Sequence, residues 1–271
     1  MAFQNVALLG KGLLGTAVLE QLASNGFTVT ILTRDSSSIE SFPSGVRVAQ
    51  VNYSSKESLV KALTGQEAVV STLGAAGVAS QKLIIDASIE SGVRRFIPSD
   101  FGSFSTDPDA RGFPLVKAMI DIQNHLKEKA AAGALEYTIF STGAFLEYFL
   151  DIATIGKAVA NALKSPDATK NRNLKIHEAV LTQAKVLEVA KKQTPPGIKW
   201  TETQVDPTLV LSEAIATLMD NPADIGAAYA VVKASVLGGK FQTAYDRVDN
   251  ELLGVCLLTD DEIEDKIAAR I

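Results

Sequence analysis

Three glycines stand in Gly10-Lys11-Gly12-Leu13-Leu14-Gly15, directly after the apolar run Val6–Leu9 and at the start of a helical pattern. That spacing suits a dinucleotide pyrophosphate. The first glycine permits a tight turn, the second lets a phosphate approach the backbone, and the third lets helix and strand pack closely. The free N–H groups and the positive dipole end of the helix supply the attraction. Lys11 adds a positive charge inside the loop. About 20 residues further on, where the adenosine ribose is read, the chain runs Thr33-Arg34-Asp35. An acid there accepts from the 2′-hydroxyl of NAD, whereas a guanidinium suits the 2′-phosphate of NADP through charge-assisted hydrogen bonds. Arg34 favours NADP(H); Asp35, one position on, keeps NAD open.

These residues need elements to hold them. Val6–Leu9, Phe27–Thr33, Val46–Val51, Ala68–Thr72, Arg95–Ile97 and Tyr137–Ser141 read as six strands. Leu13–Ser24, Lys56–Leu63, Ser80–Glu90 and Leu115–Ala132 read as the helices between them. Strands spaced by helices imply βαβ units, hence an α/β fold with a doubly wound parallel sheet of Rossmann type. After Phe145 the rhythm changes. Helices are expected at Ile152–Leu163, Glu178–Lys192, Pro207–Met219, Pro222–Val236 and Asp260–Arg270, with Asp206 and Asn221 as caps and a short strand around Lys199–Val205. The organisation expected is a nucleotide-binding domain over residues 1–150 and a smaller, mainly helical substrate part over 151–271.

Composition narrows the function classes. Hydrophobic residues make up 46% and charged residues 21% of 271, which is ordinary for a globular chain of one large domain. The formal charge of −5 lacks the basic footprint that nucleic acid requires. A single cysteine, Cys256, excludes an internal disulfide, and with only His125 and His177 beside it no metal site is expected. No apolar run is long enough to span a membrane, and Met1-Ala2-Phe3-Gln4-Asn5 carries no basic leader. The expectation is a cytoplasmic protein, monomer or homodimer, acting on a small molecule.

Phe96-Ile97-Pro98-Ser99-Asp100-Phe101-Gly102 is very similar to the RFIPS(D/E)FG segment of the isoflavone reductase-like, or NmrA-like, family. These are atypical short-chain dehydrogenases that bind NADP. The resemblance extends through Ser71-Thr72-Leu73-Gly74 and Tyr137–Phe145, covers about residues 4–150, and returns more loosely at Ile155-Gly156-Lys157-Ala158-Val159. The glycine loop departs by one residue from the GxxGxxG usual in that family. The resemblance implies that Ser71 to Gly74, Ser99 to Phe101, and Thr142-Gly143-Ala144-Phe145 border the cofactor. It also implies that Phe101 and Phe145 wall the substrate site; core packing is the alternative for both. By the same resemblance Lys117 is the general base or proton donor. A surface lysine paired with Asp121 is the alternative reading. Relative to that family the chain passes almost directly from Phe149-Leu150-Asp151 into the next helix, so the substrate part reads as shortened.

Other constellations carry less. Tyr229-Ala230-Val231-Val232-Lys233 has the YxxxK spacing of ordinary short-chain dehydrogenases but lies far beyond the usual active-site helix. His125 reads as a surface residue, His177 lacks a triad partner, and Cys256 reads as a buried small apolar residue. There is no Gly-x-Ser-x-Gly elbow. The function expected is an NADP-dependent oxidoreductase passing a hydride to or from a small organic substrate of the aromatic or secondary-metabolite kind. The alternatives are a non-catalytic NAD(P)-sensing regulator and a redox-neutral isomerase or cyclase.

Overall fold

Apolar residues on both sides of a strand require cover on both sides, and the central strands of this chain are of that kind. β1 (Asn5–Leu9), β2 (Thr28–Thr33) and β4 (Ala68–Ser71) are buried almost throughout. The computed structural model describes residues 2–35, 45–102, 104–143, 151–239, 241 and 244–269. Around the three central strands stand α1 (Leu13–Ser24), β3 (Arg47–Gln50), α2 (Lys56–Leu63), the short α3 (Ala75–Val78), α4 (Gln81–Glu90) and β5 (Arg95–Ile97). Three 3-10 turns (Phe104–Thr106, Pro108–Ala110, Pro114–Val116) lead into α5 (Lys117–Ala131), followed by β6 (Glu136–Ser141). Then come α6 (Ile152–Lys164), α7 (Pro166–Thr169), β7 (Arg172–Lys175), α8 (Gln183–Gln193), α9 (Pro207–Asp220), α10 (Ile225–Leu237), α11 (Asn250–Leu253) and α12 (Asp260–Ala268).

The seven strands form one sheet in the order β3-β2-β1-β4-β5-β6-β7, and every pairing is parallel. Winding reverses between β1 and β4, which opens a crevice at their carboxyl ends. Alternation along the strands divides the core in two. Val6, Leu8, Val29 and Val70 meet Val18 and Leu22 of α1 and Ile155 and Val159 of α6. Leu9, Leu32 and Val69 meet Leu59, Leu63, Ile84, Ile122 and Leu126 on the other face. α6 lies tight on α1: a Cβ on Gly156 would stand 2.6 Å from the Ala17 carbonyl oxygen. Two smaller clusters complete the molecule. Leu211, Leu218 and Val231 of α9 and α10 pack on Phe113, Val116 and Phe241. Val189 of α8 packs on Ile263 and Ile267 of α12.

Six expected strands and the helices between them are present, and several expectations need correction. Lys199–Val205 forms no strand; it is exposed, with no sheet edge beside it to supply hydrogen bonds. The helix expected from Glu178 begins at Gln183 because Thr182 caps it. The one expected from Pro222 begins at Ile225, capped by Asp224 and not by Asn221. β7 and α7 were not expected. Cys256 is exposed, because the left-handed turn at Gly254 (φ 65°) sends Val255 inward and its neighbour out. His125 is tied down by Asp86 of α4 at 2.8 Å.

One buried charge holds the amino end of the sheet. The Arg95 side chain is fully buried, and its guanidinium donates to Glu136 Oε2 (2.7 Å), Thr138 Oγ1 (2.9 Å), Thr169 Oγ1 (3.1 Å) and the Pro166 carbonyl (2.9 Å). It thereby joins β5, β6 and α7. Burial acts to raise the Glu136 pKa, but the hydrogen bonds from Lys170 and Arg95 outweigh it and hold the carboxyl below its ordinary value. A pKa depressed by folding means stability that is present above the ordinary glutamate range and lost as pH falls through the lowered value. Glu136→Ala is expected to cost about 3 kcal/mol in urea unfolding at neutral pH, since it leaves a buried guanidinium without its carboxylate. Arg95→Met, which removes that charge, should cost clearly less; the reverse ranking would contradict this account.

Candidate active site

The crevice between β1 and β4 is built from glycine and one hydroxyl. Gly10 turns at φ +92°, and a Cβ there would lie 2.7 Å from the Thr72 carbonyl oxygen. At Gly15 a Cβ would lie 2.2 Å from the Gly10 carbonyl oxygen and 2.7 Å from Thr72 Oγ1. The Thr72 hydroxyl shares its proton between the carbonyls of Leu9 (2.9 Å) and Gly10 (3.0 Å), and its N–H donates to Leu9 (2.7 Å). Gly12 has open space where a side chain would be. As N-cap of α1 it supplies no side-chain acceptor, whereas α2, α6, α8, α9, α10 and α12 are capped by Ser55, Asp151, Thr182, Asp206, Asp224 and Thr259. The first N–H groups of α1 therefore point at an open surface with the positive end of the helix behind them. Lys11 and Leu13 are exposed there and Leu14 packs on the core. This cradle fits a pyrophosphate.

A cleft of about 880 Å³ lies beside it, just past Thr72, lined by Arg34, Gln50, Asn52, Tyr53, Leu73 and Gly74 among others. Arg34 is exposed at its rim, and Gln50 Nε2 donates to the Arg34 carbonyl (3.1 Å). The Tyr53 hydroxyl donates to the Leu32 carbonyl (2.7 Å). Burial pushes the Tyr53 pKa up to about 12, with the Arg34 charge pulling weakly the other way. Thr33 folds its hydroxyl onto the Asp35 backbone, donating to its carbonyl at 3.1 Å. A guanidinium with apolar and polar walls beside it suits a phosphorylated ribose and a base.

The loop after β5 joins the remaining pieces. Ser99 Oγ donates to the Leu73 carbonyl (2.7 Å), and the Ser99 N–H to Gln81 Oε1 (2.8 Å). Asp100 is buried and accepts from Ser105 Oγ (2.6 Å) and Gln123 Nε2 (2.8 Å). Phe101 is buried and stacks on Phe140 at 5.8 Å, and its carbonyl accepts from the Thr142 hydroxyl. Lys117 is exposed as the first residue of α5, because Pro114–Val116 form a 3-10 turn before it.

The residues expected at the site thus fall into two groups. Gly10 to Gly15, Arg34, Leu73 and Gly74 border the open crevice or its cleft, with Thr33 half-buried behind them. Ser71, Asp100, Phe101, Thr142 and Gly143 are buried and hold the loops in place. Ala144 and Phe145 lie outside the described residues, as do Phe149 and Leu150. Sequence reasoning missed Gln50, Tyr53, Gln81 and Gln123. Tyr53 carried a signal, its place just past the carboxyl end of β3. Tyr229 is 62% exposed on α10 and lines none of the cleft at Arg34. Among the described residues no group of histidine, cysteine and carboxylates could hold a metal ion, and no helix is long and apolar enough to cross a membrane.

Comparison with known proteins agrees with this geometry. A sequence profile for NAD(P)H-binding proteins matches residues 10–173. Oxidoreductase aprR of Aspergillus flavus is 32% identical over 236 residues, which cover 76% of this chain and 78% of that one. In three dimensions the crystal structure of isoflavone reductase matches 99% of this chain and 100% of its own with a TM-score of 0.78 at 19% identity. A structure described as AtPrR2 with NADP+ and (+)pinoresinol matches 100% of this chain and 99% of its own with a TM-score of 0.69 at 19% identity. With its glycine cradle and its loop after β5, this chain belongs to the NAD(P)H-binding family and, within it, to the isoflavone reductase-like, NmrA-like group of oxidoreductases.

Proposed function

We propose that the protein is an NADP-dependent reductase of a small aromatic or secondary-metabolite compound. The observation that carries this reading is Arg34 in the lining of the cleft beside the glycine cradle. NADPH, when bound, supplies a hydride; the residues of this chain do the rest. The N–H groups at the start of α1 and the Lys11 charge hold the pyrophosphate, and Arg34 holds the 2′-phosphate. Ser99, Thr142 and Gly143 shape the loops against which the nicotinamide lies. Lys117 gives a proton to the substrate atom that gains negative charge, and takes it back in the reverse direction. The reading draws support from a relative named an oxidoreductase and from a structural neighbour described with NADP+ and (+)pinoresinol.

Calorimetric titration with NADPH and NADH tests the cofactor half. NADPH should bind more tightly, and Arg34→Ala should weaken NADPH by about 10–100-fold, the value of a hydrogen-bonded charge, while leaving NADH nearly unchanged. Equal loss for both cofactors would contradict the assignment of Arg34. For the catalytic half, turnover is measured with NADPH and a panel of phenylpropanoid and quinone substrates. Lys117→Ala should lower kcat by about 10²–10⁴-fold with NADPH affinity intact; unchanged kcat would remove Lys117 from the chemistry.

A further inference from the structure

Asp100 is a buried carboxylate held by neutral groups. Its two oxygens accept from Ser105 Oγ at 2.6 Å and Gln123 Nε2 at 2.8 Å, and the same amide nitrogen reaches the Ser105 carbonyl at 3.3 Å. Asp100 is 6% and Gln123 4% exposed. Burial pushes the Asp100 pKa up against the pull of both hydrogen bonds. A carboxylate in such a place is costly unless its donors are well fixed, so the geometry of these three residues is tightly constrained. What they connect is informative. Through Ser99 and Thr142 the Asp100 loop is bolted to the carboxyl ends of β4 and β6. Through Gln123 it is bolted to α5.

α5 is also held by Met119, Ile122 and Leu126 in the core, by Ile120 on the Phe113 cluster, and by the His125–Asp86 pair. Apolar burial is non-directional, and the His125–Asp86 pair links α5 to α4, not to the loop. The Gln123–Asp100 bond therefore fixes the height and rotation of α5 against the loop. Lys117 lies six residues before Gln123, which is under two helical turns or about 9 Å along the same rigid helix. We propose that Gln123 is a positioning residue, whose amide, through the buried Asp100 carboxylate, sets Lys117 at the cofactor loop without itself touching cofactor or substrate. This rests on the reading of Lys117 given above and extends it to the residue that aims it.

The chemistry of Gln123→Glu separates this role from simple packing. Glutamate keeps the length and shape of the side chain but replaces the donor N–H by a carboxyl oxygen. Two adjacent carboxyls titrate as a pair and share one proton at lower pH, and that proton restores a donor to Asp100. As pH rises both ionise, repel, and the brace opens. The other titratable and charged groups that line the cavity beside Gln123 are Asp107 and Arg111 ahead of α5, Lys127 one turn along it, and Tyr137 of β6. They are common to variant and wild type, so the wild-type profile is the reference for each.

The readout is the shielding of Lys117 by bound NADPH, followed as the rate of its acetylation by acetic anhydride in peptide mass spectrometry. The pH is raised in steps from about 6 to about 9, since two adjacent buried carboxyls give up their shared proton above the ordinary carboxylate range. In the wild type NADPH should shield Lys117 throughout. In Gln123→Glu shielding should match the wild type at the acid end and be lost as pH rises, while calorimetry finds NADPH affinity unchanged. Gln123→Met should lose shielding at every pH. Asp100→Asn should keep it, because the new amide can offer its oxygen to the Gln123 N–H and its NH2 to the Ser105 hydroxyl oxygen. Far-UV circular dichroism and thermal melts confirm that each variant is folded; if Gln123→Met is not, the pH profile of Gln123→Glu and the retention in Asp100→Asn decide. Equal shielding in wild type and Gln123→Glu across the pH range would overturn the proposal. A wild type that binds NADPH but leaves Lys117 unshielded would instead overturn the reading of Lys117, and the proposal with it.

Discussion

The Thr72 hydroxyl is where the two halves of the sheet are joined. Parallel strands that diverge at a reversal leave carbonyls pointing into a crevice, and unpaired carbonyls there would cost free energy. Thr72 satisfies those of Leu9 and Gly10 together. Its Oγ1 and the Gly10 carbonyl then fill the space beside residue 15 so fully that no side chain fits. From that contact follow the close approach of α1 to β1, the exposed N–H groups of its first turn, and the cradle for a phosphate. Substituting a larger residue at position 15 would separate helix from strand before any ligand was involved.

A second joint governs the other end of the crevice. The loop after β5 has almost no freedom: its side chains and backbone are engaged by β4, α4, β6, α5 and the 3-10 turn that follows it. Its polar groups therefore face inward, and what the loop presents outward is shape. This differs from the arrangement at Arg34, which is exposed and free to meet a ligand charge. One side of the crevice presents an exposed charge, the other a loop held by buried hydrogen bonds. Lys117 is exposed as the first residue of α5, the helix that Gln123 ties to the rigid loop.

Much of this architecture could be read from residue types. α1 and α2 begin and end where apolar periodicity, glycine turns and the Ser55 cap place them. The glycine spacing and the Arg34 position follow the chemistry of phosphate binding closely enough to be found without a structure. The failures have physical causes. β7 (Arg172–Lys175) is an edge strand with one fully buried side chain, Leu174, and so carries no alternating apolar signal. The stretch Lys199–Val205 has the β-branched residues of a strand but no neighbour to pair with. Gln81 and Gln123 were invisible because a glutamine on a helix looks like solvent-facing surface, and their partners lie 18 and 23 residues away in sequence. Asp100 was legible as part of a motif, but its inward direction depends on Gln123 and Ser105, which no spacing rule identifies.

The central claim is that one cofactor bridges the charged and the rigid sides of this crevice. A crystal structure of the protein with NADP+ tests it most directly. The account requires the pyrophosphate on the N–H groups at the start of α1, the 2′-phosphate on the Arg34 guanidinium, and the nicotinamide ring beside Lys117. A ribose held by Asp35 with Arg34 turned to solvent, or a nicotinamide lying away from Lys117, would contradict it.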